Sequence, residues 1–233
     1  MEKISDPASK EYQWQKEKEA IDKITDGLGL GIDEDIKDSV IVLHLLGINT
    51  SSSHKGKIDR YPIPYIDIDS SEAHKLENEL ASKTDELMSE EERLVRKEIN
   101  ALYDQLDLIE DLESSEAVEI NKKIEVLDSK FQEFEVPENS EIIQLREKIE
   151  IENLKEREKI NYLLQLFYKD RIVSDEARLI IKPKGLQRSR LQNQGSEIQE
   201  GESDENKKRE RLQKFQAEMN AFTEFLKSSF FEK

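Results

Sequence analysis

Apolar residues spaced by seven positions, and then by steps of three and four, run through the middle of this chain. The first series comprises Leu80, Leu87, Leu94, Ile99, Leu102, Leu106 and Ile109. The second series comprises Ile120, Ile124, Leu127, Phe131 and Phe134. This spacing places an apolar stripe along one side of an α-helix and is typical of coiled-coil seams. The middle of the chain is therefore predicted to form long helices that bury only narrow stripes.

A third helical series extends the pattern towards the C-terminus. Its members are Ile142, Leu145, Ile149, Leu154, Ile160, Leu163, Leu164 and Phe167. The register slips after Ile149, which predicts a local change in winding or packing against a different neighbour.

The helical region also contains places where a helix can stop. Residues 89–92 read Ser-Glu-Glu-Glu and match a capping box, at which a helix can restart. The heptad spacing continues across this box, which favours one unbroken helix there. Breaks are predicted at residues 113–115 and 136–138, the latter because Pro137 cannot continue a helix interior.

The composition supports this division. Hydrophobic residues make up 35% and charged residues 38% of the chain, against about 45–50% and about 25% in typical globular domains. Residues 71–170 carry 28 acidic and 14 basic side chains, so most of the net charge of −17 lies in the helical region. The net charge disfavours RNA as a partner. Cysteine is absent, which excludes disulfides and thiol catalysis.

Strand patterns flank the helical region on both sides. Strands are predicted around residues 48–51 and 65–69, and a β-hairpin over residues 177–192 with a break at 183–185. The pattern therefore predicts an α+β fold, with packed helices on a small mixed or antiparallel sheet. Residues 26–69 and 171–233 form this split domain, and residues 70–170 form an inserted, acidic, antiparallel coiled-coil-like arm.

The two ends of the chain are predicted to be helical. A weak helical pattern covers the N-terminal segment 1–25. Before the last helix, residues 195–206 are polar and contain few apolar side chains, which predicts a disordered linker. The last segment carries an apolar stripe dense in phenylalanine, which we expect to dock on the sheet. Neither a signal-peptide pattern nor a long apolar run occurs, so we expect a soluble, cytoplasmic protein without a membrane partner.

The segment from Asp26 to Ile68 carries a recognisable order of residues. Asp26 is followed by Gly31-Ile-Asp33, by Ile36 and Val40, and then by Gly47-Ile-Asn-Thr-Ser-Ser-Ser-His-Lys-Gly-Lys57. This order resembles a motif of an uncharacterised bacterial family, whose loop commonly reads T-S-x-S-C-E-G-H. It is also similar to the N-terminal motif of the wybutosine-synthesis tRNA methyltransferase family, whose loop resembles T-T-S-S-C-S-G-R. The resemblance covers about 40 of the 233 residues.

The departures from both motifs bear on function. His54 stands where the families favour cysteine, Lys55 replaces the glutamate of the bacterial family, and Lys57 replaces the terminal histidine or arginine. A role that depends on a thiol is therefore absent. The resemblance to the methyltransferases implies S-adenosylmethionine as a cofactor for a nucleotide-modifying or tRNA-modifying enzyme. The residues themselves imply no cofactor.

The loop around these residues also suggests a binding site. Hydroxyl groups, a glycine and several cations could cradle a phosphate or carboxylate together with the basic hairpin. The candidate ligand-binding residues are Thr50, Ser51, Ser53, His54, Lys55, Gly56, Lys57, Arg60, Arg178, Lys182, Arg188 and Arg190. The competing interpretation is a polar turn whose lysines are solvated.

Catalytic and metal-binding patterns are weak. His54 is a candidate general base, although no triad follows from the spacing. The histidines have no metal-ligand spacing, so no metal site is predicted. We therefore expect a non-catalytic interaction protein, whose arm associates with itself or with a protein partner and whose small domain binds an anionic ligand. The alternative is a methyltransferase-like enzyme that uses the same loop.

Overall fold

The computed structural model describes residues 9–25, 31–58, 62–106, 109, 114–132, 139–185 and 188–232. The motif residue Asp26, the candidate binding residue Arg60, the seam residue Phe134 and the predicted break at 136–138 lie outside these ranges. The helices are α1 (Lys10–Ile21), α2 (Glu34–Leu45), α3 (Ser71–Leu87), α4 (Glu90–Leu106), α5 (Ser115–Gln132), α6 (Ser140–Phe167), α7 (Ser196–Gly201) and α8 (Glu205–Phe231). The strands are β1 (Asn49–His54), β2 (Tyr65–Asp69), β3 (Leu179–Lys184) and β4 (Arg188–Asn193).

The chain divides into two compact units. The first unit comprises Met1–Lys75 and Lys148–Lys233, and the second unit comprises Leu76–Glu147. Both boundaries lie inside helices, α3 and α6, whereas we predicted boundaries after residues 69 and 170. The second unit carries 22 acidic and eight basic side chains, so it holds most of the negative charge. No helix in the described part of the chain is long and apolar enough to cross a membrane.

The four strands form one antiparallel sheet in the order β1-β2-β4-β3, which confirms the α+β prediction. β1 extends to His54, beyond the predicted end at residue 51. Pro183 lies inside β3, opposite Ser189, whereas we predicted a break there. A strand can include this proline because β3 is an edge strand, which has a partner on one side only.

The core of the first unit lies between one face of the sheet and helices α2, α6 and α8. Ile66 and Ile68 of β2 point into it, together with Leu179 and Leu191. The residues that α8 contributes are Met219, Phe222, Leu226 and Phe230. The predicted docking of the last helix on the sheet is therefore confirmed. Full burial of each such side chain contributes about 1.5–3 kcal/mol.

Two buried polar groups fix the segment after α6 to this core. The Tyr168 hydroxyl accepts a hydrogen bond from the Leu179 N–H at 2.8 Å, and burial raises the pKa of this hydroxyl well above its usual value. Arg171 donates two hydrogen bonds to the Glu218 carboxylate, from Nε at 3.1 Å and from Nη2 at 2.6 Å. These contacts tie the α6 end to β3 and α8.

The predicted disordered linker over residues 195–206 is wrong, because helix α7 and the start of α8 together occupy eight of its twelve residues. Gln199 is fully buried there, and its amide donates to the carbonyl oxygens of Pro62 at 3.1 Å and Lys208 at 2.9 Å. Ser196 accepts a hydrogen bond from the Gln192 amide at 2.6 Å. Composition predicted disorder because the segment is polar, but Ser196 and Gln199 are buried and hydrogen-bonded within the protein.

In the second unit, α3 and α4 are separate helices, so the prediction of one unbroken helix is wrong. Ser89 forms the capping box. Its N–H donates to the Glu92 carboxylate at 2.5 Å, and the Glu92 N–H donates to its hydroxyl at 3.2 Å. The break resets the register. Val95 and Ile99 are buried on α4, whereas the predicted seam residue Leu94 is 62% exposed.

Helix α5 packs against α4 in the opposite direction. The Lys130 ammonium, near the end of α5, lies 2.9 Å from the carboxylate of Glu91 at the start of α4. Ile120 and Ile124 of the second predicted seam are buried. Of the predicted break at residues 113–115, residue 113 lies outside the described ranges, Ser114 is not helical, and α5 begins at Ser115.

The apolar series of α6 skips a position after Ile149 because the next buried position is polar. Ile142, Leu145 and Ile149 of α6 are buried, but the next buried position is Asn153 rather than the predicted Leu154. Leu154 is exposed, so the stripe continues through an asparagine that the apolar pattern could not indicate.

Candidate functional site

The predicted loop from Thr50 to Lys57 is mostly strand. Thr50, Ser51, Ser53 and His54 all lie in β1, an edge strand paired only with β2. The register shifts between Thr50 and Ser52, which marks a bulge around Ser51. A strand points successive side chains to opposite faces, so these hydroxyl groups do not converge on one ligand.

Thr50 belongs to a hydrogen-bonded chain that the sequence did not reveal. Its hydroxyl lies 3.0 Å from Nε2 of His44, and its N–H donates to the same nitrogen at 3.3 Å. Nδ1 of His44 lies 2.9 Å from the Glu17 carboxylate. A neutral His44 therefore accepts at Nε2 and donates from Nδ1 to Glu17. The imidazole links α1, α2 and β1, which is a structural role for Thr50.

His54 and Gly56 form the turn after β1. The Gly56 N–H donates to Nδ1 of His54 at 2.9 Å, and the Gly56 carbonyl accepts from Gln216 Nε2 at 3.3 Å. Gly56 has φ +85°, and a Cβ there would lie 2.6 Å from Cδ1 of Leu212. Both backbone groups of Gly56 thus have protein partners, and α8 fills the space beside it. Atoms of α8 therefore occupy the space beside Gly56 in which we predicted a ligand.

The two loop lysines face the first turn of α2. The Lys55 ammonium lies 2.7 Å from the Asp35 carboxylate, whose hydrogen bond raises the pKa of Lys55. Lys57 Nζ is 4.0 Å from Asp33 Oδ1, and half of the Lys57 side chain is exposed. Lys55 is therefore neutralised locally, whereas the carboxylate paired with Lys57 among the described residues is 4.0 Å away.

The basic hairpin surrounds a buried carboxylate instead. Asp67 lies between Ile66 and Ile68, on the face of the sheet away from the core, and is 1% exposed. Arg190 donates to it from Nε at 2.6 Å and from Nη2 at 2.9 Å, and Lys184 donates at 3.0 Å. The Arg190 guanidinium also lies 3.7 Å from the centre of the Tyr65 ring. These two cations therefore stabilise the sheet.

Lys182 and Arg188 lie opposite Arg190 and Lys184 in the strand register, so these four hairpin cations share the face of the sheet away from the core, while Arg178 precedes β3. Lys182 pairs with Glu197 at 2.9 Å, and Arg178 lies over the Tyr168 ring at 4.4 Å. Arg188 is exposed at the start of β4. Lys55 and Lys57 contact α2 on the core side of the sheet, while Arg190 and Lys184 lie on the other side. The structure does not bring the predicted loop and hairpin cations into one site.

Asp67 gives the sheet a predictable pH dependence. Burial would raise the pKa of Asp67, but hydrogen bonds from Arg190 and Lys184 outweigh it and hold the pKa below the usual value. A carboxylate with a lowered folded-state pKa stabilises above its unfolded pKa of about 3.9 and loses that contribution as pH falls through the folded pKa. We expect Asp67→Asn to destabilise the protein at pH 7 and to differ less from the wild type near pH 3. Urea unfolding at both pH values measures this, and an equal difference at both would contradict it.

Lys57 lies in the wall of a surface hollow together with two cations, Lys208 and Arg209, that the sequence analysis did not assign to its site. An open hollow of 530 Å³ is bounded by Lys57, Ile58, Glu205, Lys208 and Arg209. Three of these five side chains are cationic and one is a carboxylate. Arg209 Nη2 is 3.7 Å from Glu205 Oε2, and both side chains are mostly exposed. The described lining of the hollow therefore carries excess positive charge within a chain of strongly negative net charge.

Gln199 holds the two walls of this hollow together. It is the buried amide that donates to Pro62, four residues beyond Ile58, and to the Lys208 backbone. Arg211 Nη1 also donates to the Gln199 carbonyl oxygen at 3.3 Å. Gln199 is thus a positioning residue. No sequence signal joined residue 57 to residues 208 and 209, because their proximity depends on α7.

Within the described ranges, no cluster of three or more metal-ligating side chains is present. No family model, curated protein or solved structure matches this chain.

Proposed function

We propose that this chain is a cytoplasmic binding protein whose first unit takes a phosphate-bearing anion in the hollow at Lys57, Lys208 and Arg209. The convergence of three cations from two distant segments on one hollow supports the proposal. Charge-assisted hydrogen bonds to phosphate are the strong ones, and arginine adds a bidentate fork. The wide opening suits a ligand that remains partly solvated.

Thermal unfolding with inorganic phosphate, pyrophosphate and nucleotides tests this site. A ligand at about 100 times its Kd should stabilise the protein by about 2.7 kcal/mol. Lys57→Ala and Arg209→Ala should each weaken binding about tenfold, since a hydrogen bond to a charged group contributes about 1.5–3 kcal/mol. High salt should weaken binding because the hollow is exposed.

Lys182→Ala is the matched control for these variants. It removes one exposed cation on the other side of the sheet, where Lys182 pairs with Glu197. We expect unchanged affinity in this variant. The proposed site would be contradicted if no phosphate compound raises the unfolding temperature. It would also be contradicted if Lys182→Ala weakens the affinity as much as Lys57→Ala and Arg209→Ala do.

The methyltransferase-like alternative draws on the resemblance of residues 26–68 to that family. S-adenosylmethionine in the same screen distinguishes the two functions. S-adenosylmethionine would favour the enzyme if it raises the unfolding temperature of the wild type and of the Lys57→Ala and Arg209→Ala variants equally. Its binding site would then lie elsewhere in the first unit.

We further propose that the chain associates with itself through the second unit. Leu94 and Val126 support this proposal, since they are 62% and 69% exposed on helices α4 and α5. Burying large apolar side chains against a second copy contributes about 1.5–3 kcal/mol each. Sedimentation equilibrium of the wild-type chain tests this, with concentration-dependent association expected and a monomer at every concentration contradicting it.

A further inference from the structure

The second unit has a local positive surface in spite of its negative charge. Arg93, Arg96 and Lys97 are three of its eight basic side chains, and they lie within about one turn of α4. Together with Asp85, Met88 and Asn100 they line an open hollow of 390 Å³. Among the described residues that line this hollow, Asp85 is the single carboxylate.

Two of the three cations are held in place by the end of α3. Arg93 Nη2 donates to the Asp85 carbonyl oxygen at 2.7 Å. Arg96 donates to the Asp85 carboxylate and lies 3.7 Å from the Met88 sulfur. A partner that binds these guanidinium groups therefore meets side chains that have already lost part of their rotamer freedom, which lowers the entropic cost of association.

Exposed apolar side chains adjoin this hollow. Leu94 follows Arg93 by about 100° around the helix, and Leu87 is partly exposed at the end of α3. We define the α4 surface as Leu87, Met88, Arg93, Leu94, Arg96 and Lys97. A mixed apolar and cationic surface of this kind fits a partner that presents apolar and acidic side chains.

A second copy of this chain supplies that chemistry. Beyond the α4 surface and Asp85, the second unit carries 21 acidic and five basic side chains. Its exposed apolar residues include Val118 and Val126 of α5. Two acidic units would repel one another unless a positive surface lies between them. We propose that the α4 surface binds the acidic surface of the second unit in another copy, and this inference rests on the proposed self-association.

Each copy carries both surfaces, so a dimer can form two identical contacts about a twofold axis. Any change in the α4 surface therefore acts twice in the dimer. Association should weaken when salt is raised from about 0.05 M to about 0.5 M, because exposed charges are screened. The apolar part of the contact should be insensitive to salt.

Sedimentation equilibrium of the full chain and four variants tests the inference. Arg93→Glu with Lys97→Glu should weaken association at least about tenfold, and Leu94→Ser should do so at both salt concentrations. Lys122→Glu with Lys123→Glu makes the same change in net charge on α5 and should leave association no weaker than in the wild type. Tyr162→Ser, at an exposed aromatic residue of α6 in the first unit, is the matched apolar control. Helical content from circular dichroism verifies that each variant folds.

The outcomes separate this inference from the self-association on which it rests. A wild-type chain that is monomeric throughout overturns both. A second outcome is that the wild-type chain associates and that the Arg93→Glu/Lys97→Glu double variant and the Leu94→Ser variant associate equally strongly. That result would contradict the α4 surface and leave the self-association standing. Equal weakening by the two double charge variants would also overturn it, because net repulsion would then explain the effect.

Discussion

Replacing Arg171 by alanine is expected to lower the free energy of unfolding by about 3 kcal/mol. The Glu218 side chain is 4% exposed, and Arg171 makes two hydrogen bonds to its carboxylate. Removing the guanidinium leaves a buried charge without its partner, which typically costs about 3–5 kcal/mol. We place the effect at the lower end of that range because the Arg171 side chain is 40% exposed and water can replace part of it. Urea unfolding measures the change.

A second substitution should recover much of this loss. Glu218→Met in the Arg171→Ala background removes the unpaired carboxylate and keeps a side chain of similar length, so the double variant should be more stable than Arg171→Ala alone. Arg209→Ala is the matched control, because its exposed guanidinium is 3.7 Å from an exposed carboxylate. Such surface pairs contribute about 0–1 kcal/mol. Equal effects at Arg171 and Arg209 would contradict the role given to the Glu218 pair.

Gly56→Ala is expected to destabilise the protein by about 3 kcal/mol, from two separate causes. The positive φ of +85° costs an L-residue about 1–2 kcal/mol. The added Cβ would also lie 2.6 Å from Leu212 Cδ1 and 3.0 Å from backbone atoms of Ile63 and Pro64. Overpacking of this kind costs about 1–3 kcal/mol, and the backbone atoms have little room to move.

Gly185→Ala separates the two causes. Gly185 also has a positive φ, +65°, but a Cβ there would meet nothing within 4 Å. This variant should therefore show only the conformational cost of about 1–2 kcal/mol. Urea unfolding of both variants gives the comparison. A loss at Gly56 no larger than the loss at Gly185 would show that α8 yields to the added methyl group.

The Gly56 result also bears on the motif around it. We call residues 50–56, which read T-S-S-S-H-K-G, the motif frame. Its glycine, Gly56, was expected to allow the close approach of a ligand, but α8 and the segment at Ile63 lie beside it instead. Its N–H and carbonyl are both bonded within the protein. The frame therefore fixes the turn after β1, and the anion site that we propose begins one residue later, at Lys57.

Local sequence patterns predicted most of the elements. Alternation at residues 65–69 and the apolar stripe of the last helix were sufficient, because one buried face imposes its period on the sequence. The capping box at Ser89 was also visible, yet the heptad of Leu80, Leu87 and Leu94 favoured an unbroken helix. The heptad was misleading because a restarted helix can bury Val95 in place of Leu94.

The candidate site was predictable only in part. Lys57 was selected by its charge and by the motif, but its neighbours Lys208 and Arg209 were not. Arg190 was assigned to the same site as Lys57, and instead it neutralises Asp67 together with Lys184 on the opposite side of the sheet. Successive residues of a strand point to opposite faces of the sheet, so the exact strand register decides on which face each cation lies.

The sequence by itself determined the α+β class, the acidic helical middle and the apolar faces that must be buried, because each depends on composition or on short-range periodicity. Only the tertiary structure decided which charges meet. Gln199 joins Pro62 to Lys208 across 146 positions of sequence, and the sheet register joins Asp67 to Arg190 across 123. Contacts over such separations depend on the packing of α7 and β4, and no local pattern of residues records them.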